Sequence, residues 1–356
     1  MPSKPLTIDD IETPAVLIDV DRANANIQKA QAHADAVGVR LRPHIKTHKL
    51  PYWGKRQIEA GAVGITCQKI GEAEVFADAG FDDIFLPYNI LGAAKLARLL
   101  ALHRRIKLSV TVDNTTSLAG LIDTFSDAGR PLVVLVECDT GMGRCGVQTP
   151  ADALELARRI DAAPGLTFGG LMTYPATGQI AQAETWLTEA RDLLAASGIT
   201  CPVITSGGTP DMWRTPGASV ITEQRPGTYI YMDRYQVAKG AATHDECALT
   251  VLATVVSRPT PTRAILDSGS KALTSDTLGM TGFGEIVGVP GAEIVGLSEE
   301  HGNVSLPVDT ALTVGQRVRV LPNHACVVTN MFDAVYLISG ERVVDVLPVA
   351  ARGKVT

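Results

Sequence analysis

Eight consecutive residues, Arg42-Pro43-His44-Ile45-Lys46-Thr47-His48-Lys49, crowd five basic or imidazole side chains behind an apolar segment running from Val37 to Leu41. A lysine at the mouth of a strand, surrounded by other cations, has its ammonium form disfavoured and becomes a nucleophilic amine. That is what a Schiff-base enzyme requires, and Lys46 is the candidate. A solvated basic turn has the same composition, so the string alone leaves both readings open.

Four further strings carry chemistry. Thr205-Ser206-Gly207-Gly208-Thr209 follows an apolar strand, and paired glycines let backbone N–H groups approach an anion closely. Arg225-Pro226-Gly227-Thr228-Tyr229 comes one unit later, and the pair resembles the phosphate cup that barrels build after their last strands, although either string alone reads as a plain loop. Glu137-Cys138-Asp139-Thr140-Gly141-Met142-Gly143-Arg144 sets an arginine among glycines. Aimed inward, Arg144 would face a pyridine nitrogen and keep it unprotonated; the alternative is a structural pair with Glu137 or Asp139. In Pro322-Asn323-His324-Ala325-Cys326, an extended backbone would turn His324 and Cys326 to the same side. Imidazole plus thiolate favours zinc over magnesium or calcium, while an isolated HxC string is often incidental. His301, in Glu299-Glu300-His301-Gly302, either joins them or is a surface turn.

The elements that position these residues follow from periodicity. From about residue 14 to 235, strand patterns (Ala15-Asp19, Val39-Arg42, Gly64-Cys67, Asp83-Leu86, Lys107-Val112, Leu132-Glu137, Thr167-Thr173, Val203-Thr205) alternate with helical ones such as Arg22-Ala36, Gly71-Ala79 and Ile180-Ala196. Repeated strand–helix units imply parallel strands with right-handed crossovers, closing most economically as a (β/α)8 TIM-type barrel over residues 14–238, with an open doubly wound sheet as the alternative. The candidates fall at the carboxyl ends of its strands, where such barrels do chemistry. Residues 239–356 read as a mostly antiparallel β domain, including Val327-Asn330 as a strand and Ser339-Gly340-Glu341-Arg342 as a hairpin turn; residues 1–13 are expected to pack on it.

Bulk properties exclude several classes. The chain has 356 residues, 46% hydrophobic, with 32 Lys and Arg against 38 Asp and Glu, for a net charge of −6. Nucleic-acid binding needs clustered positive charge, so no nucleic-acid partner is expected. No apolar run reaches spanning length and the first residues lack a signal-peptide core, which predicts no membrane partner and a cytoplasmic location. Six cysteines without CxxC spacing read as reduced thiols.

Taken together, TPAVLID, RPHIKTHK, GITCQKIGEAE, VECDTGMGRCGV, SGGT, GTYIYMD, SEEHG, PNHAC and VAARG resemble the D-threonine aldolase and D-serine dehydratase family over nearly the whole length. These are pyridoxal-phosphate enzymes with an alanine-racemase-type barrel and a trailing β domain. The resemblance implies that Lys46 holds the cofactor, that Arg144 faces its ring nitrogen, and that Gln68 and Tyr174 line its pocket. It implies that Ser206, Gly207, Gly208, Thr209, Gly227 and Thr228 hold the phosphate with Tyr229 nearby. His324 and Cys326 would bind a divalent metal, zinc ahead of manganese or magnesium. A homodimer acting on small D-β-hydroxy amino acids is also implied.

Two departures bear on the reaction. The aldolases share an HxD metal pair where this chain has His324-Ala325-Cys326, as the dehydratases do, and the aldolase histidine after the tyrosine is absent from Thr173-Tyr174-Pro175. The strings CQK, GRCGV and EEHG lean the other way. Aldol cleavage is therefore the leading expectation, with D-serine or D-threo-3-hydroxyaspartate dehydration the alternative. An amino-acid racemase is a weaker third reading, and the β domain argues against a bare-barrel cofactor carrier.

Overall fold

The computed structural model describes residues 7–215 and 219–356. The chain forms two compact units, each discontinuous in sequence: Met1–Gln28, Thr47–Leu50 and Thr228–Gly353 in one, and Lys29–Lys46, Pro51–Gly227 and Lys354–Thr356 in the other. A first strand, β1 (Ala15–Asp19), and helix α1 (Val20–Val37) precede eight strands: β2 (Arg40–Leu41), β3 (Ile65–Thr66), β4 (Asp83–Leu86), β5 (Lys107–Val112), β6 (Leu132–Cys138), β7 (Leu166–Thr173), β8 (Val203–Gly207) and β9 (Glu223–Arg225).

These eight form a parallel sheet in the order β2-β9-β8-β7-β6-β5-β4-β3. Its two edges meet where His44 bridges Thr66 and the Thr66 N–H donates to Pro43 O at 2.8 Å, closing the expected (β/α)8 barrel. The intervening helices are built on local signals. Helix α2 (Pro51–Glu59), absent from the sequence expectation, opens on a proline, whose missing N–H costs nothing there. In the helix Pro150–Ala162, Thr149 and Asp152 cap each other reciprocally, and Ala153, Leu156, Ala157 and Ile160 bury one face.

The closing strand β9 carries no apolar alternation, and the sequence reading passed over it. Its Glu-Gln-Arg string is a strand because both charged side chains, on the same side two residues apart, find partners inside the barrel. Glu223 accepts from Arg42 Nε at 3.0 Å and from Thr205 Oγ1 at 3.0 Å. Arg42 also reaches Asp83 at 2.6 Å, which Lys107 reaches from outside at 2.7 Å. Arg225 donates to Thr205 Oγ1 at 2.5 Å and to Thr173 O at 2.8 Å. Burial pulls the Arg225 guanidinium down to about 10, with Glu223 and Glu137 opposing, so it stays charged. The apolar part of the interior, Phe85, Leu135 and Met172, lies in the same ring.

In the other unit, β10 (Leu249–Thr260), β11 (Arg263–Leu266), β12 (Gly284–Ile286), β13 (Glu293–Leu297), β14 (Gly302–Ser305) and β15 (Arg317–Pro322) close on themselves, since β10 pairs with both β11 and β15. The sheet continues through β1 to the hairpin β16 (Ala334–Ser339) and β17 (Arg342–Pro348), with Gly340 at φ +60° in the expected turn. Thus β1 is not a barrel strand. It runs antiparallel to β10, Ala15 facing Leu252, and parallel to β16. Locally a buried AVLID run before a helix is indistinguishable from a barrel unit; only its long-range partners decide. The Ile8 N–H donates to Glu341 O at 2.9 Å and Ile11 packs with Ala15, Leu17 and Ile338. Residues 1–6 lie outside the described residues.

Val327-Asn330 is helical, within Ala325–Met331, not the expected strand. Its β-branched residues mislead because the cap comes from elsewhere: Asp233 Oδ2 accepts the Ala325 N–H at 3.0 Å. No helix among the described residues is long and apolar enough to cross a membrane.

Two predictions follow from the barrel interior. Glu223→Ala leaves Arg42 half-paired in a buried site and should lower unfolding free energy by about 3 kcal/mol, read from urea denaturation. Burial also pushes the β6 carboxyl Glu137 up from 4.5 to about 7, Arg144 opposing and Asp113 reinforcing the shift. A carboxyl raised on folding stabilises fully below its unfolded value, and that contribution is lost as pH climbs through 7. Glu137→Gln should therefore gain up to about 3 kcal/mol on the wild type between pH 4.5 and pH 8 in the same assay.

Candidate active site

Lys46 sits in a single 3-10 turn, Ile45–Thr47, immediately beyond β2. His44 secures its backbone: Nδ1 accepts the Lys46 N–H at 3.3 Å, which leaves the proton on Nε2 to donate to Gln68 Oε1 at 3.0 Å. Gln68 in turn donates to Pro87 O at 3.3 Å and receives its own anchor through Glu72 Oε2 on its backbone N–H. The basic string does not stay a cluster of cations. Arg42 turns into the barrel toward Glu223, Lys49 adopts φ +56° and donates to Ala351 O, and the His48 ring lies 6.5 Å from Tyr231. His44 thus acts on the lysine's backbone.

The loop after β6 is shaped by carboxylates that accept backbone N–H groups. Asp139 Oδ1 takes those of Gly141 and Gly143 at 3.0 and 3.1 Å, and Asp113 Oδ2 takes that of Gly146 at 2.8 Å. Although its partial burial acts the other way, the N–H groups of Gly143 and Gly141 hold Asp139 below the usual carboxylate range. With both carboxylates occupied, exposed Arg144 makes no ion pair among the described residues, and its guanidinium carbon lies 4.9 Å from the Tyr174 ring centre. The alternative of a structural Arg144–Asp139 pair is therefore not what forms.

After β8, a Cβ on Gly207 would stand 3.0 Å from the Tyr174 ring and 3.3 Å from Arg225 Nη2, so any larger residue would push one of these two back by a few tenths of an ångström. Gly208 takes φ +109°. Beside them the Ser206 hydroxyl is buried with no hydrogen-bond partner. An orphaned donor in a two-glycine loop is what a phosphate site requires before its anion arrives. Arg225, which the sequence offered only as part of a loop string, fastens Thr173 and Thr205 and so sets the positions of Tyr174 and Ser206 that follow them.

The remaining candidates belong to the other unit. Thr228 and Tyr229 lie in a buried 3-10 turn, and Thr228 Oγ1 is 3.6 Å from Cys326 Sγ. Thr47 Oγ1 is closer to that sulfur, at 3.0 Å. His324 and Cys326 do come together, but across a strand-to-helix turn, not along a strand: His324 is the extended residue before the helix Ala325–Met331. His324 Nδ1 is 3.0 Å from Asp233 Oδ2. Burial acts to lower the His324 imidazole, yet Cys326 and Asp233 outweigh it and push it up to about 11. No group of three or more His, Cys, Asp or Glu side chains fit to hold a metal occurs among the described residues, so the protein would supply two ligands. His301 is exposed on the turn between β13 and β14.

The chain has relatives in both sequence and fold. The family described as "Alanine racemase, N-terminal domain" matches residues 18–235, and "Putative serine dehydratase domain" matches 248–338. A D-threonine aldolase from Arthrobacter sp. is 38% identical over 96% of this chain and 93% of its own length. The crystal structure of D-threonine aldolase from Filomicrobium marinum superposes with a TM-score of 0.91 at 31% identity, covering all of both chains. That of D-threo-3-hydroxyaspartate dehydratase from Delftia sp. HT23 gives 0.88 at 30% identity over 97% of this chain and 99% of the other; a cysteine-to-alanine mutant of a dehydratase of that name is in a metal-free form. By sequence over its whole length and by fold, this chain belongs to the D-threonine aldolase and D-serine dehydratase family of alanine-racemase-like enzymes.

Proposed function

We propose that this chain is a pyridoxal-phosphate- and divalent-metal-dependent lyase that cleaves small D-β-hydroxy-α-amino acids to glycine and an aldehyde. The observation that carries the reading is its 38% identity to a D-threonine aldolase across almost the entire length of both proteins. Lys46 is the covalent anchor of the cofactor, held by His44 through its backbone. Ser206, Gly207, Gly208 and Thr209, with Gly227 and Thr228, receive the phosphate; the buried, unpartnered Ser206 hydroxyl supports this. Arg144 serves the ring nitrogen, Tyr174 and Gln68 line the pocket, and Tyr229 backs it. When bound, the cofactor accepts the electron pair left at the substrate's α-carbon. His324 and Cys326 hold the divalent ion, whose positive charge would face the substrate's β-hydroxyl.

The two routes differ in which proton the protein must take. Cleavage removes the β-hydroxyl proton, and no histidine follows Tyr174, leaving its phenol the side chain at that strand end for the task. Dehydration removes the α-proton, for which the Lys46 amine, once released, is the base. The second reading, a D-serine or D-threo-3-hydroxyaspartate dehydratase, is favoured by Cys326 in place of an aspartate and by the structural match to the Delftia dehydratase. We place the enzyme in the cytoplasm, supported by cysteines that lack the spacing of a disulfide framework, and as a homodimer, supported by the family resemblance.

The protein supplied with cofactor, Mn²⁺ or Zn²⁺ and D-threonine, D-serine or D-3-hydroxyaspartate should yield glycine and an aldehyde. Ammonia and a keto acid would replace the leading reading by the second. Chelation should abolish turnover; interconversion of D- and L-isomers that survives chelation would instead mean a racemase, which needs no metal.

A further inference from the structure

We propose that Asp233 is the positioning residue of the metal centre: its carboxylate holds the Nδ1 side of the His324 ring, so that Nε2, on the far side, is the nitrogen left to ligate. The inference rests on the reading of His324 and Cys326 as metal ligands and extends it to a residue 91 positions away in sequence.

The geometry around this carboxylate is fully specified. Asp233 is entirely buried. Its Oδ1 accepts the Gln236 N–H at 3.0 Å and so caps the helix Arg234–Ala238. Its Oδ2 accepts two donors, the Ala325 N–H at 3.0 Å and His324 Nδ1 at 3.0 Å. An ionised carboxylate only accepts, so the contact with Nδ1 exists only when that nitrogen carries a proton. The lone pair of a neutral ring is then on Nε2. A carboxylate behind a ligating imidazole both fixes the ring's orientation and raises its basicity toward a cation. Helix capping accounts for the bonds from Gln236 and Ala325, but it gives no reason for an imidazole at the third site.

Two further features mark Asp233 as held for this purpose. The preceding residue, Met232, is in the left-handed region at φ +49°, a conformation that costs a non-glycine residue roughly 1 kcal/mol. The same Oδ2 bonds the backbone between the two ligands, so one atom fixes both the His324 ring and the turn that carries Cys326. On the other ligand, the Thr47 hydroxyl lies 3.0 Å from Cys326 Sγ. Each candidate ligand therefore has its own second partner, and on His324 that partner carries the negative charge.

The test uses metal-stripped, cofactor-loaded protein titrated with Co²⁺, following the visible d–d bands, and with Zn²⁺ by calorimetry. Asp233→Asn is nearly isosteric and keeps an acceptor for the Gln236 N–H, while its amide nitrogen replaces Oδ2 and leaves the Ala325 N–H without one. Its amide N–H groups, however, pair with a bare Nδ1, which moves the ring proton to Nε2 and blocks it. We expect this variant to bind Co²⁺ about 10–100-fold more weakly, with altered d–d bands and a melting transition that is lowered but still cooperative. Asp233→Ser, which retains the Gln236 cap but cannot reach His324, should weaken binding similarly and decides the matter if the Asn variant misfolds. Wild-type affinity and spectrum in both folded variants would overturn the proposal. Wild-type protein that binds neither ion, or His324→Ala protein that binds as tightly as wild type, would overturn the metal reading and this proposal with it.

Discussion

The buried contact between Arg42 and Glu223 is the interaction on which the barrel unit depends. Parallel strands with apolar faces would cohere without it, but the sheet has a seam, and the strand that fills the seam is polar. Glu223 meets Arg42 at 3.0 Å, and two residues on, Arg225 binds the ends of β7 and β8. A buried pair of this kind adds little net stability over an apolar substitute, because both charges are desolvated; its removal by halves is what costs. What it supplies is register. With Glu223 fixed, Arg225 stands where it can hold Thr173 and Thr205, and the residues after them, Tyr174 and Ser206, are two of the proposed cofactor-site residues. The same β9 strand continues into Pro226, whose carbonyl accepts the His44 N–H at 2.9 Å. The lysine turn and the phosphate loops are thus set by one seam.

The second constraint is covalent. The boundary between the two compact units falls at the peptide bond joining Lys46 to Thr47. On one side His44 fastens the Lys46 backbone, and on the other the Thr47 hydroxyl meets the Cys326 thiol.

Much of this was legible before any coordinates. Strands such as Asp83–Leu86 and Lys107–Val112, and the helix Ile180–Ala196, fall where apolar periodicity put them, because each buries a face whose pattern is local. The site strings were legible because glycines and a strand-end lysine report backbone demands directly. The failures share a cause. Ala15–Asp19 looks like a barrel strand and joins another sheet; Glu223–Arg225 looks like a loop and closes the barrel; Val327–Asn330 looks extended and is helical under a cap from Asp233. In each, a partner more than 80 residues distant overrides the local signal. Asp233 itself was visible only as the last letter of GTYIYMD, and no property of that string announces a carboxylate behind a histidine.

The central claim is that Lys46 carries pyridoxal phosphate, and it is tested most directly by trapping the linkage. The protein loaded with cofactor is reduced with borohydride, digested, and its peptides sequenced by mass spectrometry. The account predicts a phosphopyridoxyl group on the peptide spanning Arg42 to Lys49, attached to Lys46. Label on any other lysine, or no label at all, would contradict it.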